Sequence, residues 1–116
     1  MKEIITLHQL KTISSSRDFI LLDFSAKWCG PCKKLSEWLE FVEADMTAIE
    51  IVRCDVDKAD DEILQTYPVE CLPTVFFLRS EDLAVMNVVP GFDLPKIKET
   101  MNSFMSMAPS SSSSSS

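Results

Sequence analysis

An α/β fold, with a central mixed β-sheet flanked by helices on both faces, follows from three observations. Apolar runs of strand length alternate with segments of helical periodicity, the pattern of parallel strands joined by crossover helices. One run, FILLDFS at 19–25, is apolar almost throughout, as a strand covered on both faces must be. Late in the chain, TVFFL and AVMNVV flank the polar turn SED, which places an antiparallel hairpin at the sheet edge.

At the front, EIIT predicts a short strand and LHQLKTI a first helix. The 19–25 strand leads into a helix from about Cys29 to Ala44, where Leu35, Trp38, Leu39 and Val42 recur at i, i+3, i+4 and i+7. IEIVRCDV at 49–56 is the next strand, and Cys54 alternates there with Val52 and Val56 as a small buried hydrophobe. KADDEILQTY predicts a short helix with acidic residues in its first turn, where the dipole favours them, and Pro68 ends it. The strands at 74–78 and 84–89 make the hairpin. Gly91 permits the bend into a last helix from about Asp93, a fitting N-cap, with Leu94, Ile97, Met101 and Phe104 or Met105 along one face. The order is β-α-β-α-β-α-β-β-α, and chemistry in such a sheet belongs at the carboxyl ends of the parallel strands.

The 116 residues fit one domain, expected at 1–107. Beyond Met107 come Ala-Pro and seven serines, Ser110 to Ser116, which have no apolar surface to bury, so 108–116 is expected to be a disordered tail. A composition of 46% apolar and 25% charged residues is that of a globular protein, and no run reaches the ~18 apolar residues of a membrane span. A net charge of −7 argues against a nucleic-acid partner, since phosphate contacts need clustered Lys and Arg. The polar first residues, with Glu3 among them, do not read as a secretory signal, so a cytoplasmic protein is expected. In that setting a close pair among the four cysteines is catalytic or metal-binding rather than structural.

Such a pair stands at Cys29 and Cys32, in LLDFSAKWCGPCKKL. Structural zinc needs a second pair of ligands, but Cys54 and Cys71 lie far apart and His8 is the only histidine, so no metal is expected. A structural disulfide closing so short a loop restrains the unfolded chain little. A redox pair accounts for more of the stretch. At a helix start, Cys29 meets unpaired N–H groups and the positive end of the dipole, which favour its thiolate. Cys32, one turn further in, is placed to resolve a mixed disulfide, and Pro31 suits the first helical turn. Asp23 is costly in an apolar strand; buried, its pKa rises and it suits proton exchange with Cys32. The alternative is an Asp23 at the sheet edge, solvated.

LLDFSAKWCGPCKKL resembles the active-site region of the thioredoxin family. CDVDKADDEILQTYPVECLPTVFFLRS resembles the family's third strand, third helix and cis-proline turn, and VVPGFDLPKI its glycine and last helix, so the likeness is colinear over about residues 3–107. It implies the thioredoxin fold and a protein disulfide reductase in which Cys29 attacks a target disulfide and Cys32 releases the product. The resemblance further implies that no cofactor is bound, that NADPH would supply reducing equivalents through thioredoxin reductase, and that peroxiredoxins or sulfoxide reductases would be among the targets. Asp23 matches the buried carboxylate and Trp28 the indole beside the site. Pro73 matches the cis-proline, Leu72 offers its backbone to an extended substrate, Thr74 follows as the pattern expects, and Gly91 lets a target approach. Gly30-Pro31 is the dipeptide of a reductant, unlike the Gly-His of disulfide isomerases or the Pro-Tyr of glutaredoxins.

Two positions depart from the family pattern. Glu37 replaces a helix-kinking proline, which predicts a straighter helix, and the RSEDL turn lacks the usual glycine. Cys71 resembles a surface cysteine of animal members, either a regulatory thiol able to link two otherwise monomeric copies or an idle one. Arg53 either pairs with Asp23 or faces solvent, and Asp55, Asp57, Asp60 and Asp61 read as a solvated acidic face or as charges that tune the site. Competing functions are a dedicated electron donor, a redox-sensitive binding module acting through Trp28, Leu72 and Gly91, and an oxidative folding factor, which would need a secretory address.

Overall fold

The computed structural model describes residues 1–13 and 17–107. The serine tail and the boundary expected after Met107 lie outside them. The elements are β1 (Lys2–Ile4), α1 (Leu7–Thr12), β2 (Phe19–Ser25), α2 (Gly30–Val42), β3 (Ile49–Asp55), α3 (Asp61–Thr66), β4 (Thr74–Arg79), β5 (Val85–Pro90) and α4 (Leu94–Met107). A 3₁₀ turn at Glu43–Asp45 closes α2, so the regular helix is slightly shorter than its periodic stretch. The five strands lie in the order β1-β3-β2-β4-β5. β1 and β2 run parallel to β3, whereas β4 is antiparallel to β2 and to β5.

β2 is central, and all seven of its residues are buried, as its apolar run requires. Alternation then splits the sheet's side chains into two cores. On one face Leu21, Ile51, Val75 and Phe77 pack with Leu35 and Leu39 of α2 and Ile97, Met101 and Phe104 of α4. On the other, Leu22, Val52, Phe76 and Leu78 meet Leu7 and Leu10 of α1 and Ile63 of α3. Helices cover both faces.

Local chemistry sets the helix starts. Thr6 and Gln9 form a capping box on α1, with Gln9 N donating to Thr6 Oγ1 at 3.0 Å and Thr6 N to Gln9 Oε1 at 3.1 Å. Asp60 caps α3 by accepting from Ile63 N at 3.0 Å, and Asp93 accepts from Lys96 N at 3.2 Å. α2 runs unbroken across Glu37, which keeps the N–H that a proline would lack.

The β4–β5 turn solves its missing glycine in another way. Leu83 takes φ 62°, its N–H donates to Arg79 O at 2.7 Å, and its carbonyl accepts from Tyr67 Oη at 3.0 Å. The left-handed conformation costs a branched side chain roughly 1–2 kcal/mol, and these bonds hold it in place. Arg79 adds a two-pronged ion pair to Asp82, at 3.0 and 2.8 Å.

Candidate active site

β2 ends at Ser25, and α2 begins five residues later, on the far side of the Lys27–Cys29 turn. Cys29 is the N-cap of α2 and Pro31 lies in its first turn. The backbone N–H of Cys32 donates to Cys29 Sγ at 3.2 Å, an orphan helix donor directed at the sulfur. Cys29 and Cys32 are joined as a disulfide, with Cα atoms 5.2 Å apart. The two sulfurs are not equally open: Cys29 retains 7% exposure and Cys32 only 1%. Gly30 and Pro31 are exposed beside them.

Asp23 lies on the face of β2 that α2 covers, in register between Arg53 of β3 and Val75 of β4. It is fully buried, and neither carboxylate oxygen has a hydrogen-bond partner. Burial pushes its pKa up to about 7, against the opposing pull of the Arg53 guanidinium. The solvated sheet-edge alternative is thereby set aside, because β2 has a strand on each side.

Arg53 takes neither course read from the sequence. Its guanidinium is half-buried, pairs with Glu3 at 3.1 Å and donates to Ser36 Oγ at 3.4 Å, so β1 and α2 hold the charge that faces Asp23. Three of the four acidic residues between the end of β3 and the start of α3 are likewise more than a solvated face. Asp57 accepts from Trp28 Nε1 at 2.8 Å, Asp55 accepts from Asp57 N at 2.9 Å, and Asp60 caps α3. Trp28, 71% exposed, is thus pinned although it lies on the surface.

The Leu72–Pro73 peptide bond is cis. Thr74 Oγ1 donates to Cys71 O at 2.7 Å and closes this turn, while Gly91, at φ 77°, donates its N–H to Pro73 O at 2.8 Å. An L-side chain is strained at that φ, which is why glycine stands there. Leu72 packs with Ala26, Cys29 and Cys32. A groove of about 480 Å³ results, with Trp28 and Cys29 on one wall, Val56, Leu64, Val69 and Leu72 below, and Glu70 and exposed Cys71 at the lip. Val56, Leu64, Val69 and Glu70 were not singled out by motif, because they meet only through the packing of α3 against the turn. A separate cleft of about 500 Å³, with Ser36, Glu37 and Arg53 among its lining residues, also reaches Cys32.

Cys54 is a buried thiol whose pKa is pushed up to about 12 by desolvation, with Asp55, Asp60 and Asp23 adding to the effect. Burial and the raised pKa both favour the neutral thiol.

A cysteine pair at a helix start beside a cis-proline is an arrangement suited to disulfide exchange. The thioredoxin family model matches residues 5–103. The chain belongs to the thioredoxin family. It is 37% identical over 96 residues to a thioredoxin of Mycoplasmoides gallisepticum, covering 83% of this chain and 92% of that one. Thioredoxin-2 of Pyricularia oryzae is 34% identical over 104 residues, with 81% of this chain aligned, but only 57% of the longer fungal protein. Fasciola hepatica thioredoxin superposes with a TM-score of 0.76 at 28% identity over 90% of this chain and 99% of that one. Trichomonas vaginalis thioredoxin gives 0.77 at 27% identity, over 90% and 96%. The thioredoxin fold is therefore shared, and the chain is a thioredoxin-type disulfide reductase, a thiol–disulfide oxidoreductase whose redox pair is Cys29–Cys32.

Proposed function

We propose that the reduced protein donates two electrons to disulfides of other proteins, with Cys29 as nucleophile and Cys32 as resolving thiol. The Cys29 thiolate attacks one sulfur of the target, forming a mixed disulfide and releasing the other sulfur as a thiolate. Cys32 then attacks Cys29 Sγ, which closes the Cys29–Cys32 disulfide and frees the second target thiol. Two electrons and two protons pass to the target. The observation that carries the order of attack is the site's asymmetry: Cys29 lines the groove and receives the Cys32 N–H, whereas Cys32 is the more deeply buried of the two and does not line that groove. Asp23, poised near neutrality by burial, exchanges the Cys32 proton.

An extended target segment lies in the groove against Trp28 and the Leu72 backbone, with Pro73, Thr74 and Gly91 shaping the turn. Gly30 and Pro31 keep the pair accessible and its loop stiff. Family membership implies a reductase and disulfide substrates as partners. We assign thioredoxin reductase, drawing on NADPH, to the return step, and disulfide-bearing proteins such as peroxiredoxins or sulfoxide reductases to the forward one. No bound cofactor is needed in this chain. The finer assignment, a monomeric cytosolic thioredoxin of animal type, is supported by Cys71 before the cis-proline and by free thiols at Cys54 and Cys71, which suit a reducing compartment. Among the described residues no helix is long and apolar enough to cross a membrane. Cys71, exposed at the groove lip, is the point where a regulatory disulfide would join two copies.

The test is NADPH consumption with thioredoxin reductase and a generic disulfide protein. Wild type should turn over, Cys29→Ser should lose all turnover, and Cys32→Ser should accumulate mixed disulfides. Turnover surviving in Cys29→Ser would refute the assigned order. A folded wild type without turnover would leave the binding-module reading, in which Cys29→Ser keeps its partner.

A further inference from the structure

The groove beside Cys29 is apolar apart from one ionic side chain. Val56, Leu64, Val69 and Leu72 supply its floor, and Glu70 is the single charged residue of the lining. Glu70 is exposed and makes no hydrogen bond or ion pair within the described residues, in contrast to Asp57, which is occupied by Trp28 Nε1. A carboxylate left open at the lip of an apolar groove, two residues before the Leu72–Pro73 cis bond, meets whatever flanks a target cysteine seated at Cys29.

We infer that Glu70 sets substrate charge specificity: the groove selects disulfides whose cysteine sits in an extended segment with an apolar neighbour and a lysine or arginine close by. The inference deepens the reductase reading and rests on it. The apolar floor takes the neighbouring side chain by burial. The lip discriminates by charge, since an opposite charge at Glu70 is attracted and a like charge repelled. Because the lip is solvated, the discrimination is modest and is screened by salt. An extended strand advances about 3.3 Å per residue, and a long basic side chain one or two residues from the cysteine extends that reach along the groove.

The probes are three disulfide-linked peptides of equal length, each with leucine beside the cysteine and lysine, glutamine or glutamate two residues away on both sides. Each is reduced in a single turnover by the dithiol protein prepared with dithiothreitol and then desalted, so no reductase is involved. In wild type the rate should fall in the order lysine, glutamine, glutamate, with about a 5- to 10-fold spread between the charged peptides at low ionic strength. The spread should shrink at 0.5 M salt. Glu70→Gln should flatten the order and Glu70→Lys reverse it, each variant's rates being read relative to its own rate with the glutamine peptide. Glu99→Lys, the same charge change at an exposed position of α4, should leave the order intact.

Equal rates for all three peptides in wild type would overturn the inference. So would an order unchanged in Glu70→Lys, or one that Glu99→Lys alters as much. Failure of wild type to reduce even the glutamine peptide would instead sink the reductase reading itself.

Discussion

Both oxygens of Asp23 are buried without a hydrogen-bond donor, and burial holds the carboxyl near pH 7 rather than at its ordinary 3.8. Unfolded chains release this proton above about pH 3.8, whereas the folded protein keeps it until about pH 7. Stability is therefore undiminished below the unfolded value, falls as pH rises between the two, and levels off above pH 7. The full difference amounts to roughly 4 kcal/mol as an upper figure. In urea titrations, Asp23→Asn should abolish this slope and be the more stable protein at pH 8, its advantage gone near pH 4. Parallel pH dependence in mutant and wild type would contradict a buried, titrating Asp23. The two free thiols should also part company. Iodoacetamide should label exposed Cys71 in the native protein and leave Cys54, buried and held as a thiol, for the denatured state. Native labelling of Cys54 would mean that β3 opens.

At the scale of elements, the helix starts were legible because each depends on residues within a turn of one another. Asp60, three residues before Ile63, caps α3. Asp60→Ala should cost about 1 kcal/mol, read as a lower urea midpoint with unchanged slope; an unchanged midpoint would show that water replaces the cap. The active-site helix was legible for the same reason, from its apolar spacing and from Pro31 at its start. What its neighbours do was less legible. Arg53 and Asp23 stand side by side in register, yet Glu3 and Ser36 take the guanidinium. Asp57 reaches Trp28 across 29 residues of sequence. No local pattern announces either contact, because each requires two loops or strands to be brought together by the packing of others.

Across the whole molecule, β2 supplies both cores from adjacent positions. Leu21 faces α2 and α4, and Leu22 faces α1 and α3. Both are fully buried, so Leu21→Ala and Leu22→Ala should each cost about 2–5 kcal/mol, measured by denaturant titration, and both should raise the susceptibility of the sheet to proteolysis. A loss under 1 kcal/mol at either would show that one helical layer is loosely packed.

By itself, the amino-acid sequence determined the order of strands and helices, the covered status of β2, and the cysteine pair at a helix start. Those features depend on apolar period, chain stiffness and capping within a few residues. Only the tertiary structure decided that Asp23 is sealed between β3 and β4, that Arg53 belongs to Glu3 and Ser36, and that Glu70 opens onto the groove beside Cys29. These depend on the strand order β1-β3-β2-β4-β5 and on α3 closing over the cis-proline turn. Burial and charge pairing are set by neighbours distant in sequence, whose approach is driven by the two cores rather than by any local motif.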